Sequence, residues 1–193
     1  SRSDYSPMFA NSEGNELYFT STRNQATGDE LSGITGMKNS DLFCVRKDEK
    51  GKWKAPELVE GGLNTPLDEG ACCFSTDGKM YLTVCPTDPE YPRMAEIWTS
   101  NRSDAKWNKA SKLKITEDTL SSYAHPCLSP DGTWLYFVSD MPGGYGGTDL
   151  WRAKLEGSEI GPVENLGDKI NSEGNEMLPT FRPTGELYYS SDG

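Results

Sequence analysis

Four short phrases recur in the same order along this chain, so any fold it adopts must house a repeated unit. Aligned on a turn glycine, the units fall at Gly14, Gly78, Gly132 and Gly185, spaced 64, 54 and 53 residues apart. A period of a few tens of residues implies an array of equivalent units, each burying its apolar faces against its neighbours. The first phrase runs into the turn: SPMFANSEG, GACCFSTDG, HPCLSPDG and LPTFRPTG. The second follows it, as Leu17-Tyr18-Phe19, Met80-Tyr81-Leu82, Leu135-Tyr136-Phe137 and Leu187-Tyr188-Tyr189. The third is SDLFCV, AEIWTS and TDLWRA, and a fourth is expected to begin near Trp53, Trp107 and Ile160. Aromatic and β-branched residues bounded by Gly, Pro, Asn and Asp read as strands. Asp-Gly at 77–78 and 131–132 marks hairpin turns, since glycine accepts the positive φ they demand. No stretch sustains a 3.6-residue apolar period, so almost no helix is expected.

Four consecutive antiparallel strands, repeated, are the sequence form of an all-β propeller blade. A β-sandwich would not need a repeating four-phrase unit. The second phrases are apolar on both faces, as a sheet covered by two neighbours requires. The blades are expected at 1–64, 65–118 and 119–171, with half a blade at 172–193. The chain closes on nearly the words with which it opens, NSEGNE standing at 11–16 and again at 171–176. On this reading the last stretch begins another blade. A propeller usually needs about four to eight blades to close, so the remainder is expected outside these residues. The start, Ser-Arg-Ser-Asp, likewise reads as that of an excised piece.

With 30 acidic and 19 basic side chains the formal net charge is −11, which repels a phosphate backbone and argues against a nucleic-acid partner. Five cysteines without a CxxC pair, and one histidine, give no zinc pattern, and no metal or other cofactor is expected. The cysteines read as small buried hydrophobes. No apolar run approaches the roughly 18 residues of a membrane helix, so no membrane insertion by this segment is expected.

The phrase HPCLSPDGTWLYFVSD, His125 to Asp140, resembles the unit of TolB-type, WD-repeat-like propellers. SDMPGGYGGTDLWRA and LGDKINSEGNEMLPTFRPTGELYYSSDG are similar to the propeller part of periplasmic OmpA-family lipoproteins, PorE of the type IX secretion system among them. The resemblance implies a non-enzymatic scaffold in the periplasm, tethered to the outer membrane through other parts of the protein. Its partners would be cell-envelope or secretion proteins, with peptidoglycan held by a domain outside this chain. The rival reading is the propeller of a hydrolase, either a glycosidase or the gating domain of a serine peptidase.

Five residues before each first-strand Phe or Leu stand Asp4, Glu69, Tyr123 and Glu176. In a propeller these positions face the channel, where converging carboxylates would hold a cation or a basic peptide. Alternatively each caps a turn within its own blade. Asp41, Glu96 and Asp149, in register before the third strands, read as acceptors for loop amides. His125 with Ser129 and Asp131 lacks the Gly-x-Ser-x-Gly elbow of a hydrolase and reads as a satisfied strand histidine, so no catalytic residue is assigned. PGGYGGTD is expected to be a flexible loop with Tyr145 as its contact tip, and the insert from Arg23 to Ser40 a second contact surface. Asp118-Thr119-Leu120 matches the O-glycosylation acceptor pattern of Bacteroidota periplasmic proteins, which the resemblance makes relevant, with Thr119 as acceptor.

Overall fold

The computed structural model describes residues 3–23, 26, 39–86, 94–157 and 159–193. Strands β1 (Asp4–Phe9), β2 (Glu16–Ser21), β3 (Asp41–Arg46) and β4 (Glu57–Leu58) form one antiparallel sheet in that order. The second sheet takes β5 (Asp68–Phe74), β6 (Met80–Cys85) and β7 (Glu96–Ser100). A small hairpin, β8 (Arg102–Ser103) and β9 (Lys106–Trp107), then precedes its outer strand, β10 (Ser111–Lys112). The third sheet is β11 (Tyr123–Leu128), β12 (Trp134–Ser139), β13 (Asp149–Glu156) and β14 (Glu159–Asn165). A two-stranded sheet, β15 (Glu176–Phe181) with β16 (Leu187–Ser191), completes the chain. No helix occurs among the described residues, and the molecule is a partial all-β propeller of three blades and a half. Most of the Arg23–Ser40 insert lies outside the described residues.

All four alignment glycines sit at hairpin turns with φ between 62° and 102°. The amide of Gly78 donates to the Ser75 carbonyl at 2.9 Å, that of Gly132 to Ser129 at 2.8 Å and that of Gly185 to Arg182 at 2.9 Å. The outer strands differ from expectation. β4 and β10 each begin four residues after the tryptophan expected to open them. Trp53 instead bridges Lys47, and Trp107 closes the β8–β9 hairpin. Both are large rings with better uses than an outer edge: Trp53 stacks on Phe9, and Trp107 packs against Tyr18 and Phe74.

Second-strand side chains alternate between two inter-blade cores, which is why both faces of that phrase are apolar. Tyr18 points into the core between the first and second blades, with Leu82, Met80, Cys72 and Trp107. Tyr81 points the other way, into the core with Leu135, Phe137 and Trp151. Tyr136 meets Phe181 edge-on at 4.9 Å, repeating the arrangement at the half blade. Cys44, Cys72, Cys73 and Cys127 are buried free thiols; burial pushes Cys44, Cys72 and Cys127 up to about 12 and Cys73 well above the ordinary thiol value.

The identical hexapeptides have different structures. Asn11 to Glu16 forms the β1–β2 turn, with Gly14 at φ 62°. Asn171 to Glu176 is the crossing from the third blade to β15, and its Glu is the first residue of an inner strand.

Candidate functional site

Asp4, Glu69, Tyr123 and Glu176 lie at the start of the inner strands, paired with Ser21, Val84, Ser139 and Ser191 on the second strands. Asp4 accepts from the Ser21 hydroxyl at 2.6 Å and is ion-paired to Arg23 at 3.0 Å, and these bonds hold its carboxyl below the usual range. Glu176 is fully buried and accepts from the Ser172 amide at 3.1 Å and the hydroxyls of Ser172 and Ser191 at 2.6 and 2.7 Å. Burial alone would raise its pKa; these donors outweigh it and lower it. Glu69, 1% exposed, accepts among the described residues from the amide and hydroxyl of Thr65, and its cross-strand partner is Val84, which has no donor to offer. Burial pushes its carboxyl up to about 8, with Asp41 and Asp68 adding to the rise. The buried Tyr123 hydroxyl bonds Thr116 at 2.6 Å. All four side chains are therefore engaged within their own blade and its incoming connection, the geometry of the turn-capping alternative.

Two residues further along, every inner strand bulges. Ser6, Ala71, His125 and Leu178 have φ of 51°, 37°, 51° and 54°, and the pairing register slips at each. Left-handed conformations cost non-glycine residues energy and persist where their surroundings enforce them. The neighbouring blade supplies that enforcement. The Ala71 amide donates to Thr20 Oγ1 at 3.1 Å and the His125 amide to Thr83 Oγ1 at 2.9 Å. At the third junction the equivalent residue is Val138, which cannot accept. There the Leu178 amide donates to His125 Nδ1 at 3.3 Å. Burial lowers the His125 pKa to about 4, which keeps that nitrogen free to accept. His125 is thus a satisfied strand residue, while Ser129 and Asp131 bond each other across the next turn at 2.5 Å.

Asp149 accepts the amides of Tyr145 and Gly146 at 2.5 and 3.2 Å and the Asn165 amide group at 3.0 Å, as its position before the third strand implied. Glu96 accepts from the Trp98 indole at 3.0 Å and pairs with Lys112. The glycine-rich loop is fixed, contrary to the flexible loop expected. A Cβ on Gly146 would strike the carbonyl oxygens of Ser172 and Gly174, and the Gly147 amide donates to Gly174 at 2.8 Å. Tyr145 itself is 51% exposed at the tip. Thr119 is exposed beside Leu120, where Asp118 holds the turn through the Leu120 amide at 2.8 Å. A further pair escapes the sequence reading. Asn64 and Asn171 each clamp both backbone groups of a third-strand leucine, Leu42 at 2.8 and 3.1 Å and Leu150 at 2.8 and 3.0 Å. The signal was present: each stands five residues before the inner-strand Glu, followed by Thr or Ser.

The concavity that the blades share lies at the other end of the inner strands, where the turns gather. It has a volume of about 1160 Å³ and draws on all four repeats. The strand-end residues Phe9, Phe74, Leu128 and Phe181 contribute one apolar side chain per blade. Turn residues such as Asn11, Ser75 and Ser129 line it with amides and hydroxyls. On one wall Glu16 receives Arg102 at 2.5 Å, Arg46 at 2.8 Å and the Tyr18 hydroxyl at 3.0 Å. The Trp107 indole donates to the same Tyr18 oxygen at 3.1 Å, tying the first blade to the second. Burial would raise the Glu16 pKa, but the arginines and Tyr18 hold it at about 2. Among the described residues no cluster of three His, Cys, Asp or Glu could hold a metal ion.

No family model and no curated protein sequence matches this chain. Solved structures do. An α-L-arabinofuranosidase from Lactobacillus brevis superposes with a TM-score of 0.56 at 14% identity, covering 97% of this chain and 65% of its own. A Mycobacterium tuberculosis puromycin-hydrolyzing peptidase gives 0.54 at 15%, over 99% of this chain and 34% of the peptidase. The calcium-binding protein regucalcin from Agrobacterium tumefaciens gives 0.52 at 15%, over 97% and 67%. The shared feature is the propeller fold, and this chain spans about one third to two thirds of the length of these structures.

Proposed function

We propose that this chain is a non-enzymatic propeller module that presents a rigid surface for protein contact, in an OmpA/PorE-like protein of the cell envelope. In that setting it would work in the periplasm, tethered to the outer membrane and to peptidoglycan through other parts of the protein, with Thr119 as a glycan acceptor and Tyr145 as a contact tip. The observation that carries the scaffold reading is the shared concavity, to which every repeat contributes a turn and a strand-end side chain. Glu69 and Glu176, the carboxylates a glycosidase would need in an open cleft about 5–10 Å apart, are instead buried and bonded to their own connections. The envelope assignment is supported by the phrases from Ser139 to Ala153 and from Leu166 to Gly193, which resemble that family.

Capture from a periplasmic extract on the immobilised 193-residue chain tests this reading, with recovery of a specific envelope protein expected. Turnover of chromogenic glycosides or peptides that disappears in Glu69→Gln or Glu176→Gln would overturn it in favour of a hydrolase propeller.

A further inference from the structure

The concavity differs in charge from the molecule around it. The chain has 30 acidic and 19 basic side chains, yet the charged residues lining this surface balance, Glu16 and Asp77 against Arg102 and Arg182. Glu16 is shared by the guanidiniums of Arg102 and Arg46, of which Arg46 also lies 3.9 Å from Glu57, so the Glu16 carboxylate is already engaged. Asp77, on the second turn, is bonded by the Ser75 hydroxyl. Arg182, on the fourth turn, has no carboxylate partner among the described residues and lies over the Tyr188 ring at 5.2 Å. Arg23, Arg102 and Arg152 each pair with one carboxylate and Arg46 with two, Glu16 being shared by Arg46 and Arg102. In a chain so rich in acid, an unpaired guanidinium facing a concavity is the place where an external carboxylate meets least competition.

Part of the apolar lining also stays open to the concavity. Phe9 is 49% exposed although Trp53 stacks against it at 6.3 Å, and Phe181 lines the same space. A volume of about 1160 Å³ exceeds the roughly 300–1,000 Å³ typical of small-molecule pockets, which favours a segment of chain over a metabolite. Peptide backbone also matches the amides and hydroxyls of the turns.

We propose that the concavity binds an acidic peptide segment in which an Asp or Glu stands beside a Phe or Leu, the carboxylate pairing with Arg182 and the apolar side chain seated over Phe9 and Phe181. This rests on the scaffold reading and gives its contact a chemistry, opposite in sign to the basic segment that an acidic channel mouth would attract.

Three fluorescein-labelled hexapeptides test it by fluorescence anisotropy with the 193-residue chain: Gly-Phe-Asp-Leu-Glu-Gly, its Asn/Gln form and its Lys/Lys form. The acidic peptide is expected to bind about tenfold more tightly than the amide form, since a charge-assisted contact replaces a neutral one. Arg182→Glu should reverse the preference towards the lysine peptide, and Arg182→Gln should abolish discrimination between acid and amide. Arg182 is exposed and closes its turn through backbone groups, so both variants should melt as the parent does. Equal affinity for the acidic and amide peptides overturns the proposal, as does unchanged binding by a folded Arg182→Glu variant. N-acetylglutamate bound as tightly as the hexapeptide overturns the peptide assignment. Envelope capture run in parallel separates the two readings, because a partner recovered equally by parent and Arg182→Glu keeps the scaffold and removes this site from it.

Discussion

Replacing Glu69 by Gln should flatten the dependence of stability on pH across the neutral range. Glu69 and Glu176 hold equivalent positions, but Glu176 receives the Ser191 hydroxyl where Glu69 faces Val84. The consequence is a native carboxyl raised by burial to about 8 from an ordinary 4.5. Between those values the folded protein holds a proton that the unfolded chain has released, so stability falls as pH rises. The contribution is fully present below 4.5 and is lost as pH climbs through 8. At about 1.36 kcal/mol per pH unit, the span from 4.5 to about 8 sets a ceiling on the order of 5 kcal/mol. Domain stabilities are only about 5–15 kcal/mol, so the effect is measurable. Urea unfolding at half-unit steps from pH 5 to 9, under reducing conditions because of the free thiols, should show the parent losing stability with pH. Glu69→Gln should stay level. Val84→Ser, which restores the missing donor, should shift the fall to higher acidity whatever it costs in lost methyl burial. Parallel curves for parent and Glu69→Gln would refute the reasoning.

Truncation of His125 to Ala leaves the Leu178 amide without its acceptor and should cost about 1–3 kcal/mol; adding Val138→Thr, which recreates the acceptor used at the other junctions, should recover about 1 kcal/mol in a double-mutant cycle. Gly62→Ala places a Cβ 2.5 Å from Lys109 Cα and 2.7 Å from its nitrogen; backbone cannot yield there, so a loss of about 1–3 kcal/mol is expected by thermal unfolding. Glu16, held at about 2 by Arg102 and Arg46 against burial, contributes stability present above 4.5 and lost as pH falls through 2. Glu16→Gln should therefore shrink the acid limb of the unfolding curve in that window, Asp4 and Glu176 keeping the rest, and an unchanged limb would refute the contribution of Glu16.

The strands and their turns were legible because their signals are local. Tyr81 flanked by Met80 and Leu82 suits a pleated sheet buried on both faces, and Gly78 supplies the φ its hairpin needs. Asp149 was legible for the same reason, since the amides it accepts lie only three and four residues away. Trp53 and Trp107 were misplaced because their partners, Phe9 and Tyr18, are far off in sequence. The glycine-rich loop reads as flexible by composition and is rigid by packing, since Gly146 is glycine to admit the backbone of the next connection. The concavity was invisible because no single repeat contains it.

The sequence by itself determined the unit: which residues extend, which turn, and that each sheet is apolar on both sides, because pleat, β-branching and glycine φ are properties of neighbours along the chain. Tertiary structure decided what each position does once the units pack. NSEGNE makes the point in a single chain. At 11–16 its glutamate pairs with Arg46 of its own sheet and with Arg102 from across a blade junction, whereas at 171–176 the same glutamate is sealed inside and held by serines. Six identical residues carry identical local preferences, so the difference comes from the surfaces that close around them.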